Sequence, residues 1–144
     1  MNRIRFDTDD IQHITLFEKI TGATIKDFIQ EANTICFLVK PGDMGLAIGK
    51  KGVKIERIRK ALGRSILVLE FNEDAEQLLR NLFHPLEVHG FSIAKTSDGT
   101  TTATVEISRT DRSRAIGQNG SRIKIIRALA KRHCNIDDIN LKTV

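Results

Sequence analysis

The chain has 144 residues, 40% hydrophobic and 28% charged, which is ordinary for a globular protein that forms one domain or two small ones. It contains no run of about 18 apolar residues, and its first residues lack the apolar core of a signal peptide, so we expect a cytoplasmic protein with no membrane span. The two cysteines and four scattered histidines match no zinc-binding spacing, so we expect free thiols, no metal site and no cofactor.

The first half of the sequence predicts six elements, beginning with an amphipathic helix. In order they are a helix, two strands, a short helix, a longer helix and a strand, over residues 8–21, 23–30, 34–39, 43–48, 53–62 and 65–71. Thr8 and Asp43 are suited to cap the first two helices, and Gly22 and Gly63 are suited to end the first and third. Residues 34–39 are almost continuously apolar, which predicts a strand buried on both faces.

The second half predicts the same order again. Asn72 is suited to cap a helix that Pro85 ends, and residues 97–100 form a hairpin turn signal between two strands. The elements after that first helix are two strands, a short helix, a longer helix and a strand, over residues 86–95, 102–108, 111–116, 121–133 and 136–142. Each half is therefore α-β-β-α-α-β, and the sequence predicts two domains, 1–71 and 72–144.

One segment of the chain occurs twice, at residues 47–59 and 115–127. The two copies share seven identical positions at an offset of 68 residues, namely Ala47/Ala115, Ile48/Ile116, Gly49/Gly117, Gly52/Gly120, Ile55/Ile123, Ile58/Ile126 and Arg59/Arg127. An internal repeat of this kind indicates two similar small domains in tandem.

The basic residues are concentrated around the repeated segment. Residues 40–64 contain eight Lys or Arg against two acidic residues, and residues 109–133 contain eight against one, whereas the remaining chain is net acidic. Such a distribution is typical of a surface that binds a polyanion, although two solvated basic helices would give the same pattern.

The chemistry of the repeated segment suits a phosphate backbone. Two helices joined by Gly-x-x-Gly make a sharp corner, and glycine allows another backbone to approach closely. The helix after the loop presents unpaired N–H groups and the positive end of its dipole, which favour an anion. Lys50 and Lys51 lie in the first loop, and Ile48 and Ile116 precede the two loops as apolar surface for bases.

The pattern Ile-Gly-x-x-Gly-x-x-Ile-x-x-Ile, found twice before a basic helix, resembles the KH domain. The element order is similar to the type II KH arrangement, and the abrupt tandem resembles the NusA family in its short archaeal form, over nearly the whole chain. The resemblance implies an α+β fold of two tandem type II KH domains, each a three-stranded sheet packed against helices. It also implies a single-stranded RNA-binding factor that takes part in transcription termination, antitermination or elongation, with RNA polymerase as an expected partner.

The resemblance implies which residues contact RNA. The expected backbone contacts and groove residues are Gly49, Lys50, Lys51 and Gly52 with Ile48, and Gly117, Gln118, Asn119 and Gly120 with Ile116. We add Lys54 and Arg122 from their charge and position rather than from the family pattern. The second loop carries no charge, so either it binds RNA more weakly or Arg112, Arg114 and Arg122 supply the charge.

Two other functional interpretations compete with this one. KH domains also occur in proteins of the ribosome and of ribosome assembly, so a different RNA-binding role is the alternative. A nucleotide-binding enzyme is disfavoured because the phosphate-binding P-loop needs Gly-x-x-x-x-Gly-Lys-Ser/Thr, and Met44 and Lys51 occupy positions where Gly and Ser/Thr are required. We expect no catalytic residues and no small-molecule substrate.

Overall fold

A computed structural model describes residues 7–144 and divides the chain into two units, Met1–Asn72 and Glu73–Val144, which are called here the first and second unit. This division lies one residue after the predicted boundary. Residues 1–8 show little periodicity and are predicted from the sequence to begin irregularly, but residues 1–6 lie outside the described residues.

The first unit contains six elements in the predicted order. They are α1 (Thr8–Thr21), β1 (Ile25–Glu31), β2 (Thr34–Val39), α2 (Met44–Ile48), α3 (Val53–Leu62) and β3 (Ser65–Glu70). A single turn of 3₁₀ helix joins α2 to α3. Gly22 and Gly63 end α1 and α3 in the left-handed conformation, as predicted.

The second unit repeats this order. Its elements are α4 (Ala75–Asn81), β4 (Gly90–Lys95), β5 (Thr101–Ile107), α5 (Arg112–Ile116), α6 (Ser121–Cys134) and β6 (Asp138–Thr143). Single 3₁₀ turns precede and follow α5. The predicted hairpin turn is present, because the backbone N–H of Thr96 donates to Thr100 O at 2.8 Å.

Both units have the same sheet topology, with the second strand in the centre. In the first unit β2 pairs antiparallel with β1 and parallel with β3, so that Phe37 lies between Phe28 and Val68. In the second unit β5 holds the same central position between β4 and β6. The parallel pairs require a crossover, and in each unit the two helices that flank the Gly-x-x-Gly loop form it.

An aromatic cluster forms the centre of the first unit's core. Phe17 of α1 stacks on Phe37 of β2 with ring centroids 4.1 Å apart, and Phe28 lies 5.3 Å from Phe37. Ile58 of α3 is fully buried in the same cluster. The prediction that residues 34–39 form a buried strand is confirmed, since the five residues from Ile35 to Val39 are fully buried.

The structure corrects the predicted N-caps. Asp7, not Thr8, caps α1, because its carboxylate accepts a 2.8 Å hydrogen bond from the N–H of Asp10 and the two residues form a capping box. Asp74, not Asn72, caps α4. Asp43 makes no cap hydrogen bond to α2, and its carboxylate instead accepts from the N–H of Thr24 at 2.8 Å.

The predicted strand at 86–95 begins late. Leu86 and Val88 are buried but precede the strand, which starts at Gly90. Their alternation therefore reflects packing of an irregular segment that follows α4, not sheet pairing.

Candidate nucleic-acid interface

The two Gly-x-x-Gly loops have the same backbone conformation. φ and ψ are 77° and 170° at Gly49, and 78° and 172° at Gly117. The fourth positions, Gly52 and Gly120, are left-handed with φ of 75° and 73°. Each loop therefore turns the chain in the same way from a five-residue helix into the N-terminus of a longer one, where unpaired N–H groups favour an anion.

The first glycine of each loop is required by a close approach as well as by its φ. A Cβ on Gly49 would lie 2.3 Å from Lys54 Cγ, and a Cβ on Gly117 would lie 2.7 Å from Arg122 Cβ. No side chain fits at either position without moving the start of the following helix. The second glycine is different, because a Cβ on Gly52 would meet nothing closer than 3.8 Å and only its positive φ favours glycine.

The two residues between the glycines of each loop are exposed to solvent. Lys50 and Lys51 are exposed at the tip of the first loop, and Gln118 and Asn119 are exposed at the same place in the second. The first tip therefore presents two ammonium groups, and the second presents two neutral amides that can donate or accept hydrogen bonds. The backbone is shared while the charge differs.

Lys54 and Arg122 lie in the first turn of the helix after each loop, and both donate hydrogen bonds to carbonyl groups of their own unit. Lys54 Nζ donates to Ile20 O at 3.0 Å. Arg122 Nη2 donates to His84 O at 2.5 Å and to Leu82 O at 3.4 Å. Both side chains are half-buried, unlike the loop-tip residues.

A groove of about 540 Å³ lies in the second unit beside its loop. Residues of α5, α6 and β6 line it, namely Arg112, Ile116, Ile123, Arg127, Asn140 and Leu141. The walls combine aliphatic surface with two guanidinium groups and one amide. Such a groove can hold a flat base against the aliphatic side chains while the polar groups contact its edge or the neighbouring phosphates.

The groove includes two of the predicted site residues and separates a third from them. Arg112 and Ile116 line it. Arg114 does not line it; its side chain is 62% exposed and lies 3.8 Å from Asp111 Oδ1. In the first unit, Ile48 is half-buried and packs partly against the core.

Four groove residues were not among the predicted contacts. Ile123 fits the core pattern of α6, and Asn140 and Leu141 fit a strand whose register with β5 is not visible in sequence. Arg127 is different, because it recurs as Arg59 in the first copy. Recurrence of an exposed charged residue is therefore the one signal that could have placed it in the groove.

Arg59 and Arg127 are identical in sequence but make different contacts. Arg127 donates to Ile139 O at 3.1 and 3.3 Å and lies 3.2 Å from Asp138 Oδ1, so it joins α6 to β6 along the groove. Arg59 pairs with Glu56 on its own helix at 3.1 Å. The groove of the second unit is thus lined by a guanidinium that is held to β6.

The described residues offer little other chemistry. Within residues 7–144, no three His, Cys, Asp or Glu side chains come together to hold a metal ion. Over the same residues, no helix is both long and apolar enough to cross a bilayer. Cys36 and Cys134 are not joined by a disulfide, and burial raises the pKa of Cys134 to about 11.

Comparisons with known proteins agree with this geometry. Residues 11–73 match a family model described as KH domain. The chain is 35% identical over 139 residues to a protein of Halococcus morrhuae named probable transcription termination protein NusA, in a match that covers 96% of this chain and 99% of that one. A protein of the same name from Methanocaldococcus jannaschii is 28% identical over 98% of this chain and 76% of its own length.

A solved structure is also similar. The crystal structure of APE1850 superposes with a TM-score of 0.76 at 28% identity, and the match covers 95% of this chain and 100% of that one. Together with the two sheets described above, these matches confirm the predicted α+β architecture of two tandem KH domains.

Proposed function

The chain belongs to the NusA family in its short archaeal form, and from this membership we propose that it is an RNA-binding transcription factor that acts in termination, antitermination or elongation. The relatives are named as transcription termination proteins, so the ribosomal alternative is not favoured. Its partners on this proposal are single-stranded RNA and RNA polymerase, and it acts in the cytoplasm by binding rather than by catalysis.

The observation that supports RNA binding best is the repetition of one loop geometry in two units of different sequence. Gly49 and Gly117 have φ and ψ values within 2° of each other, although the residues between the glycines differ. Gly-x-x-Gly loops of this kind clamp about four backbone nucleotides in KH domains. The positive ends of α3 and α6 lie beside the two loops and suit the phosphates of that backbone.

The two loops contribute differently in this proposal. Lys50 and Lys51 supply charge at the first loop and bind phosphates directly, while the glycines let the RNA backbone approach. At the second loop, Gln118 and Asn119 supply neutral hydrogen bonds, and Arg112 supplies charge from the groove wall. Ile48 and Ile116 provide the apolar surface for bases. Arg114 lies outside the groove and attracts the RNA through its charge at long range.

The test is a titration of a short, fluorescent, single-stranded RNA of randomised sequence, followed by anisotropy at several salt concentrations. The variant Lys50→Gln/Lys51→Gln removes two charges from the loop, and Lys19→Gln/Lys95→Gln removes two exposed charges elsewhere as a matched control. The salt slope is the steepness with which the logarithm of the binding constant falls as the logarithm of the salt concentration rises. For single strands it decreases by about 0.7 for each phosphate that is no longer neutralised, so we expect a decrease of about 1.4 for the loop variant only. Equal slopes for both variants would place the RNA away from the first loop.

The polymerase partnership needs a separate measurement. An affinity-tagged copy of the full chain is recovered from native cells, and the co-purifying proteins are identified with and without ribonuclease. We expect RNA polymerase subunits to remain after ribonuclease treatment. Recovery of ribosomal particles in their place would reject the transcription role and support the alternative. A nucleotide-hydrolysis rate above background would contradict the proposal that the protein works by binding alone.

A further inference from the structure

Lys54 connects three parts of the first unit. Its backbone lies in the first turn of α3, its side-chain stem lies against Gly49, and its Nζ donates to Ile20 O at 3.0 Å. Ile20 lies in the last turn of α1, where carbonyl groups lack partners within the helix and carry the negative end of the dipole. The charge of Lys54 is therefore engaged by the end of another helix.

Arg122 repeats this connection in the second unit with a different side chain. Its Cβ and backbone lie against Gly117, and its Nη2 donates to His84 O and Leu82 O, in the turns that follow α4. The carbonyls lie farther along the chain from the helix end than in the first unit, and the longer guanidinium reaches them. Two different basic residues thus make the same link from the loop to the segment that ends the first helix of each unit.

The two lysines at the tip of the first loop differ from Lys54 in exposure and in hydrogen bonding. Lys50 and Lys51 are exposed, whereas Lys54 is half-buried and bonded within its own unit. One of the three N–H groups of Lys54 Nζ makes a charge-assisted hydrogen bond, which is about twice as strong as a neutral one and holds the ammonium at the end of α1. The position is basic in both copies, yet in both copies the charge is directed to the fold.

We infer that Lys54 and Arg122 are positioning residues, which hold the Gly-x-x-Gly loops against the end of the first helix in each unit and do not contact RNA. This revises the sequence-based assignment of both residues to the RNA contacts, and it rests on the proposed function only for its effect on RNA affinity. The aliphatic part of each side chain packs against the first glycine of its loop. The hydrogen bond made by the charged end holds the side chain in that place. The exposed side chains of the loop then meet the RNA with the backbone already in its binding conformation.

Amide hydrogen exchange on the free protein tests the positioning without RNA. Lys54→Met keeps the stem beside Gly49 and removes the donor. We expect faster exchange at the amides of Gly22, Gly49 and Gly52, which bond Glu18 O, Gly45 O and Gly49 O, by about tenfold for the removal of one hydrogen bond made by a charged group. We expect Lys54→Arg to keep the slow exchange of the wild-type protein. Lys60 is an exposed lysine of the same helix, and Lys60→Met should leave the exchange rates unchanged.

RNA titration separates positioning from contact. With the randomised single-stranded RNA, Lys50→Met lowers the salt slope by about 0.7 because one phosphate is no longer neutralised. Lys54→Met weakens binding several-fold at a temperature where the variant stays folded, but leaves the slope at the wild-type value, and Lys54→Arg restores the affinity. A role in global stability alone would not change the affinity of folded protein.

Three outcomes would overturn the inference. A drop of about 0.7 in salt slope for Lys54→Met with unchanged exchange would mean that Lys54 binds a phosphate. Unchanged amide exchange together with unchanged RNA affinity for Lys54→Met would mean that Lys54 does not position the loop. Where Lys54→Met does not fold, Arg122→Met is measured in the same way at Gly117 and Gly120, and unchanged exchange there rejects the inference. Absence of RNA binding by wild type would reject the proposed function, while the exchange result still decides the positioning.

Discussion

Lys51 and Asn119 occupy equivalent places in the two loops and have the same backbone conformation, with φ and ψ of 55° and 26° at Lys51 and 55° and 25° at Asn119. This left-handed conformation is favourable for asparagine and costs about 1 kcal/mol for a residue such as lysine. The first loop thus accepts strain at Lys51, one of the two residues that carry its charge.

Because the backbones coincide, charge can be moved from one loop to the other. We expect Gln118→Lys/Asn119→Lys to bind single-stranded RNA about tenfold more tightly at low salt, with a salt slope steeper by about 1.4. The measurement is anisotropy across a salt series. Gln12→Lys/Gln77→Lys adds the same charge on exposed helix positions and serves as the control. Equal gains for both variants would mean that net charge alone, not the loop, attracts the RNA.

The glycines of the first loop are expected to differ in their tolerance of alanine. Gly49→Ala places a Cβ 2.3 Å from Lys54 Cγ in a backbone region that only glycine favours, so we expect a decrease of about 3 kcal/mol in the free energy of unfolding. Gly52→Ala meets only the left-handed strain and costs about 1 kcal/mol. Denaturant unfolding monitored by circular dichroism measures both.

Gly45 supplies the control for that series. It lies inside α2, and a Cβ added there would have no neighbouring atom within 4 Å, so Gly45→Ala should be neutral or stabilise by up to about 1 kcal/mol. If Gly49→Ala were as mild as Gly45→Ala, the close approach to Lys54 would not limit the loop.

Arg112 and Arg114 form a matched pair two residues apart on α5. Both side chains are exposed, but Arg112 lines the groove, while Arg114 lies outside it near Asp111. We expect Arg112→Ala to weaken RNA binding by about 1–2 kcal/mol, because it removes a charged hydrogen-bond donor from the groove, and Arg114→Ala to weaken it by less than about 0.5 kcal/mol. Anisotropy with the same RNA distinguishes them, and a larger effect at Arg114 would move the RNA path outside the groove.

The N-cap of α1 is open to a direct test. Asp7→Ala removes a 2.8 Å bond to the N–H of Asp10 and one half of the capping box, so the free energy of unfolding should fall by about 1 kcal/mol. Thr8→Ala should change it little, since Thr8 is already inside the helix. Urea unfolding of the two variants is sufficient, and the reverse order would return the cap to Thr8.

Local signals were enough to predict most elements of this fold. The apolar run Thr34–Val39 coincides with β2, and the residues from Val53 to Leu62, between Gly52 and Gly63, coincide with α3. Helix stops at glycine and buried strands depend on neighbouring residues, so sequence reveals them. The repeated loop was also visible, because its two glycines must recur to give the same turn.

Long-range partners were not visible. Lys54 Nζ donates a hydrogen bond to the carbonyl of Ile20, which is distant in sequence. No pattern near Lys54 indicates that hydrogen bond. The lining of the groove in the second unit likewise depends on the register between β5 and β6, which places Leu141 opposite Val105. The choice of Asp7 over Thr8 is a smaller case, because two adjacent capping residues compete and the backbone before the helix decides between them.

The parallel pairing of the second and third strands has a consequence for the order of folding. Thr34 pairs with Ser65 and Thr102 pairs with Asp138, so the pairing that completes each sheet joins distant residues, with two helices and the glycine corner between them. Pairing between distant residues forms late and slows the folding of a domain. We therefore expect the corner to form from local interactions before its own sheet is complete, and the first unit has all three of its strands once the chain has been synthesised as far as Glu70.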